Sequence, residues 1–403
     1  MLMYSYTARN PSTGQTIKAN IQAESESSAA ALIHKEGLVP IDIRVTDKDG
    51  SFKLPGRNKV KVKEKVLFSR QLSTLINAGL PLVQSLRNVA GQTSGKAFKV
   101  VINQVISDVE AGSSLSEAMA KHPAVFNAVF ISLVEAGETS GTLDKSLERL
   151  AIQQEKDADV IRKVKGAFIY PIIVLLVMVG VVLFMMFTLL PQVEMLYTDT
   201  GQTLPFMTQM LLNIVGALKT FWYLVPVAIA LIAFFTSRWA RSGPGKIFID
   251  RAKMRMYLVG PLFMKMYMAR FARTGSTLIG SGVPLLRVLE ITADAVSNVH
   301  IAGSIRHAAE KVKGGKSLAD TLQGDPNFLE LVPNMLRIGE QSGSTEQMMA
   351  KTADYFEKEV DDQIKSISTI IEPLMMVIMG VVALGIVGAV LLPVYMISGE
   401  SIV

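Results

Sequence analysis

Cysteine is absent from the 403 residues. Its absence excludes disulfides, thiolate zinc sites and cysteine nucleophiles, without naming a compartment. Histidine is scarce: His34, His122, His300 and His307 show no metal-ligand spacing, and no H-E-x-x-H occurs. Charge is thin at 19% of residues, below the roughly 25% of ordinary soluble domains. The opening residues, MLMYSYTARNPSTG, lack a basic n-region and an apolar h-region, so no secretory signal is expected. With these gaps, no catalytic site, metal or cofactor is expected, and no nucleic-acid partner.

What the chain has instead is apolar length. Hydrophobic residues make up 49%. Residues 172–190, IIVLLVMVGVVLFMMFTLL, contain Thr188 as their one weakly polar side chain, and residues 374–392, LMMVIMGVVALGIVGAVLL, contain none. Pro171 and Pro191 bracket the first run; Pro373 and Pro393 bracket the second. Each pair encloses about 30 Å of helix, the thickness of a bilayer's hydrocarbon core. Both runs are expected to span a membrane, with these four prolines at its boundaries. A third candidate, TFWYLVPVAIALIAFFTS at 220–237, has Trp222 and Tyr223 as interfacial anchors. Its start is open, because residues 204–218 are also uncharged and suit an interfacial helix.

Lys and Arg orient these spans. Arg162, Lys163 and Lys165 precede the first, and residues 191–218 carry no Lys or Arg. Arg238, Arg241, Lys246, Arg251, Lys253 and Arg255 follow the second, and residues 393–403 again carry none. This predicts a cytoplasmic N-terminus and an extracytoplasmic C-terminus. The first and third spans hold no ionisable group, which argues against a transporter pathway.

The chain also repeats itself. FSRQLSTLINAGLPL at 68–82 and FARTGSTLIGSGVPL at 271–285 agree at nine of fifteen positions, too many for coincidence. The offset of 203 holds through Ser114/Ser317 and Pro123/Pro326; after one lost residue it becomes 202, pairing Gly137/Gly339, Glu138/Glu340, Gly141/Gly343, Glu155/Glu357 and the bracketing prolines. A soluble module plus its span is therefore expected twice. Two like modules facing one compartment require a return span between them, which 220–237 supplies.

Within each module the period is helical: Phe68, Leu72, Leu75 and Ile76 form an amphipathic stripe. Gly79 and Pro81 end one helix and open the next. Ser114 with Glu117 forms a capping-box signature, repeated by Ser317 with Asp320, and Ser344 with Gln347 suits the start of the last helix. The last helix of each module is expected to run on into the bilayer. The first 50 residues differ: MYSYTAR, TIKANIQA and LVPIDIRV alternate like strands, with helix-like ESSAAALIHKEG before the third. A basic linker follows.

The expected organisation is thus a ββαβ-like domain at 1–46, a linker at 47–65, a helical bundle at 66–170, a span at 171–191 and an extracytoplasmic loop at 192–219. Then come a span at 220–237, a basic connector at 238–268, the second bundle at 269–372, a span at 373–393 and a tail at 394–403. The fold class is a mostly α polytopic membrane protein with three transmembrane helices, two repeated cytoplasmic bundles and a small N-terminal α+β domain. The GETSG and GEQSG turns are candidate partner-docking turns, through Gly137, Glu138 and Gly141 and through Gly339, Glu340 and Gly343. Their carboxylates are also placed to meet a helix N-terminus. GGKS at 314–317 is declined as a phosphate loop: Glu310 stands where the motif needs glycine, and the first copy reads AGSS.

The duplicated module, the G-E-x-S-G turns, the Leu-Leu-Pro exits and the EGLVP helix end together resemble the type II secretion F protein family, which includes the type IV pilus platform proteins. The resemblance covers essentially the whole chain; Glu372 departs from Tyr170 of the first copy. It implies a non-enzymatic platform in the bacterial cytoplasmic membrane. Its implied partners are a cytoplasmic assembly ATPase, pilins or pseudopilins, other inner-membrane assembly proteins, the lipid bilayer and further copies of itself. A membrane receptor or signalling scaffold without motor coupling is the alternative.

Overall fold

In the computed structural model, the described residues are 2–9, 16–23, 25–35, 37–45, 60–200, 206–221, 223–240, 242–257 and 259–400. The chain divides into two units, residues 1–59 and 60–403. In the first, period-two alternation sets the strands. Strands β1 (Leu2–Arg9), β2 (Thr16–Ala23) and β3 (Val39–Val45) form an antiparallel sheet in the order β2-β1-β3. Tyr4, Tyr6 and Ala8 of the central strand turn one face inward, against Ala29 and Ile33 of α1 (Glu26–Lys35). Most of the expected linker lies outside the described residues, but its end does not: α2 begins at Val62, and the Glu64 carboxylate accepts the Lys61 amide.

The second unit is helical throughout. Helices α2 (Val62–Asn77), α3 (Leu82–Gln92), α4 (Lys96–Glu110), α5 (Leu115–Ala120) and α6 (Ala128–Ser140) pack with the start of α7 (Leu143–Thr200). Their core is built on Phe68, Leu72, Phe98, Phe126 and Phe130, with Phe126 and Phe130 ring centroids 4.8 Å apart. Gly79 and Gly112 take positive φ at helix ends, the conformation glycine tolerates without strain. The Ser114 hydroxyl accepts the Glu117 amide and the Glu117 carboxylate the Ser114 amide, so the expected capping box closes.

Helices α11 (Gly260–Gly280), α12 (Leu285–Ala295), α13 (Val299–Lys313), α14 (Leu318–Leu322) and α15 (Leu331–Ser342) pack with the start of α16 (Thr345–Glu400) around Met268, Phe271, Leu289, Ile301, Leu336 and Phe356. Ser317 caps α14 through the Asp320 amide. The Ser344 carbonyl, just before α16, accepts the Met348 amide.

Helices α7 and α16 are each long and apolar enough to cross a membrane, and each runs unbroken from its bundle through the apolar run. The apolar window of α7 has mean hydropathy 3.1 and no buried residue, an expanse that water does not tolerate. Pro171, Pro191, Pro373 and Pro393 all lie inside helices rather than ending them. Helix therefore occupies much of what was expected as loop and tail: α7 continues to Thr200, α8 (Phe206–Phe221) covers the stretch read as interfacial, and α16 continues to Glu400. The 220–237 segment is interrupted. Helix α9 (Leu224–Ala240) meets α8 at a bend of 81°, and only the bent pair together passes as a span. The basic connector is also helical, as α10 (Gly243–Arg255) and the first turns of α11.

Candidate functional site: the paired turns and the ionic seam

Each residue of the G-E-x-S-G turns has a mechanical task. Gly137 lies where α6 crosses α7: a Cβ there would stand 2.7 Å from Ser146 Cβ and 3.0 Å from Leu143 Cα. Gly339 does the same between α15 and α16, 2.8 Å from Thr345 Cα. Gly141 and Gly343 follow as left-handed caps with φ of 70° and 67°. The Ser140 and Ser342 hydroxyls donate to carbonyls one turn back, those of Ala136 and Ile338.

The carboxylates do not stand free. Glu138 accepts the Leu115 amide at 2.5 Å and the Ser116 amide at 2.9 Å, with the Ser116 hydroxyl as a third donor. Glu340 accepts the Leu318 amide at 2.7 Å, the Ala319 amide at 3.3 Å and the Ser317 hydroxyl. Both therefore neutralise the exposed amides and positive dipole end of the short preceding helix, α5 or α14. They sit in the last turn of α6 and α15, not in the turn itself. The exposed tips are Thr139–Gly141 and Gln341–Gly343.

A second constellation joins the two bundles. Along α7 and α16, Arg149 pairs with Glu346 at 3.5 Å, Lys156 with Glu357 at 3.0 Å and Lys163 with Asp361 at 2.5 Å. Buried Gln153 donates to Thr274 of α11 at 3.1 Å. Below them Val160, Val164 and Ala167 of α7 pack on Leu262, Val360, Ile364 and Ile367. Each bundle also ties its first long helix to its last: Arg70 bonds Glu155, and Arg273 bonds Glu357 and Asp354. The hydrogen bonds from Arg70 hold the Glu155 carboxyl below its ordinary range. Burial opposes the charge of Arg273, but Glu357 and Asp354 more than compensate and raise it.

These ion pairs were missed by sequence reasoning. Arg70 with Arg273 and Glu155 with Glu357 are identical between the copies at the two offsets, which was the available signal. Asp157 and Asp159, close in sequence, do not converge: Asp157 faces Arg270 and Asp159 faces Arg162. Among the described residues no cluster of three acids or histidines is placed to hold a metal ion.

A sequence model described as type II secretion system protein F matches residues 68–191 and again 271–393, and one for that protein's N-terminal domain matches 1–44. The chain belongs to the type II secretion system protein F family. Both matched segments start at the repeat's first phenylalanine, Phe68 or Phe271, and end at the second bracketing proline, Pro191 or Pro393. Among relatives of this family, the type IV pilus assembly protein PilC of Thermus thermophilus is 37% identical over 99% of both chains. PilC of Myxococcus xanthus is 36% identical over 96% of this chain and 93% of its own. The type II secretion system protein F of Pseudomonas aeruginosa is 32% identical over 98% of each. Members with pilus and secretion names thus align with this chain along nearly its whole length.

Proposed function

We propose that this chain is a non-enzymatic inner-membrane platform of a type IV pilus or type II secretion machine. In this reading it couples a cytoplasmic assembly ATPase to the polymerisation of pilins or pseudopilins, as a homo-oligomer among other inner-membrane assembly proteins. The bundles at 66–170 and 269–372 are copies of one cytoplasmic unit, each standing on its own span. Helix α9 with the end of α8 is the return span, the rest of α8 lies at the outer surface, and the N- and C-termini face the cytoplasm and the outside.

The observation that supports this most is the continuity of α7 and α16 from bundle to apolar run, with the seam binding the two side by side. A displacement applied to a bundle then reaches the bilayer through an unbroken helix rather than a flexible joint. The exposed tips at Thr139–Gly141 and Gln341–Gly343 are the docking turns, and Glu138 and Glu340 hold them in place from behind. In-cell photocrosslinking from probes at Thr139 and Gln341, with captured partners identified by mass spectrometry, tests this. Capture of a hexameric assembly ATPase is expected; capture of extracytoplasmic proteins overturns the topology and the coupling together.

A further inference from the structure

The short helix α10 lies outside both the paired turns and the ionic seam. Its inner side is anchored: buried Asp250 accepts the Val299 amide at 3.1 Å, at the start of α13, and the His300 ring meets the Ile247 carbonyl at 3.2 Å. Its join to α9 is tight, because Ser242 caps it through the Gly245 amide and a Cβ on Gly245 would meet the Trp239 carbonyl at 1.9 Å. The outer side carries Ile247, Phe248, Arg251 and Arg255, which fall within one stripe roughly 100° wide. All four are exposed, Phe248 by 63%. Among the described residues no acidic group pairs with Lys246, Arg251 or Arg255, and Tyr257 just beyond is fully exposed.

Two contacts fix the level of this face. The Phe248 ring packs on Trp239, 5.7 Å between centroids, at the end of apolar α9, where aromatic side chains mark a membrane–water interface. Leu262, at the start of α11, packs with Ile367, only six residues before Pro373 and so about 9 Å along α16 from the apolar run.

We propose that α10 is a binding surface for anionic phospholipid headgroups. Ile247, Phe248 and Trp239 enter the acyl boundary, and Lys246, Arg251 and Arg255 hold phosphates, seating the second bundle on the membrane face. The proposal rests on the membrane reading above, and the test separates the two. The absence of cysteine lets one introduced thiol be labelled uniquely. The full chain carrying I247C or, separately, V181C in the apolar run of α7 is labelled with an environment-sensitive fluorophore. It is then placed in nanodiscs doped with brominated phosphatidylglycerol or brominated phosphatidylcholine.

Quenching at 181 by both lipids, with quenching at 247 several-fold stronger from phosphatidylglycerol, is the expected result. Combining K246Q, R251Q and R255Q should bring that lipid preference down to about one while leaving 181 unchanged. Quenching at 181 with none at 247, as a second copy or an acidic protein seated on α10 would give, overturns the proposal. Equal quenching at 247 by the two lipids overturns it as well. No quenching at 181 overturns the membrane reading and the proposal with it.

Discussion

Lys163 of α7 bonds Asp361 of α16 at 2.5 Å, 198 positions away in the chain. With Lys156–Glu357 it closes the lower part of a seam that joins the two bundles above their spans. The Lys163 and Asp361 side chains are 50% and 32% exposed, so the pair is screened and contributes about 0.5–1 kcal/mol. Its expected signature is mutual rescue. K163D alone lowers the thermal midpoint of the purified protein by a degree or two, and D361K added to it restores most of the loss. Additive losses in the double variant would show that the two residues do not interact.

Glu138 is expected to matter for stability before it matters for partners. E138A leaves the first amides of α5 without their acceptor, at a cost of about 2 kcal/mol. The local readout is hydrogen exchange, which should speed up at Leu115 and Ser116 and much less in α4. E340A should do the same to Leu318 and Ala319. Unchanged exchange at these amides would refute the clamp.

Gly137 and Gly339 set how closely the bundle's last two helices cross. G137A places a methyl group against Ser146 and the Leu143 backbone, and is expected to destabilise by about 1–3 kcal/mol. Removing the smaller obstacle by S146G on the same chain should recover part of this, since Leu143 remains. If G137A melts like the parent protein, the close crossing of α6 and α7 is refuted.

Acid should loosen the first bundle through Glu155. Hydrogen bonds from Arg70 depress the carboxyl in the folded protein relative to the unfolded chain. The resulting stability is present above the ordinary carboxylate value and is lost as pH falls through the depressed one. The Glu155 side chain is 38% exposed, so the effect stays below about 1 kcal/mol. Thermal midpoints followed from neutral pH downward should fall less steeply for R70M than for the parent. An unchanged acid slope would remove Arg70 as the cause.

The sequence made the helices and their ends readable where local chemistry decides them. Ser114 with Glu117 marks even the short α5, because a capping box acts within one turn. It made the Gly-Glu pairs conspicuous through their recurrence, and the notion of a carboxylate beside a helix N-terminus came from the same pattern. Which helix Glu138 meets was not readable, since Leu115 lies 23 positions away and is brought near only by the loop between α5 and α6. The seam was hidden for the same reason: Lys156 and Glu357 look like two solvated charges until α7 and α16 lie side by side. The break between α8 and α9 falls among the uncharged residues 220–225, with Lys219 in the last turn of α8 as the one charge near it. Pro226 was the usable clue, because a residue with no amide hydrogen fits the first turn of a new helix.

In the proposed mechanism α7 and α16 pass motion from the bundles to the membrane as unbroken helices. It is tested most directly by inserting a five-residue Gly-Ser segment between Ile169 and Tyr170, where both side chains are exposed and the bundle core is left intact. Pilus or secretion output is then measured in cells alongside crosslinking from Thr139. Output is expected to be lost while ATPase capture persists, because the bundle still docks but no longer drives the span. Full output with the flexible insertion in place would contradict it.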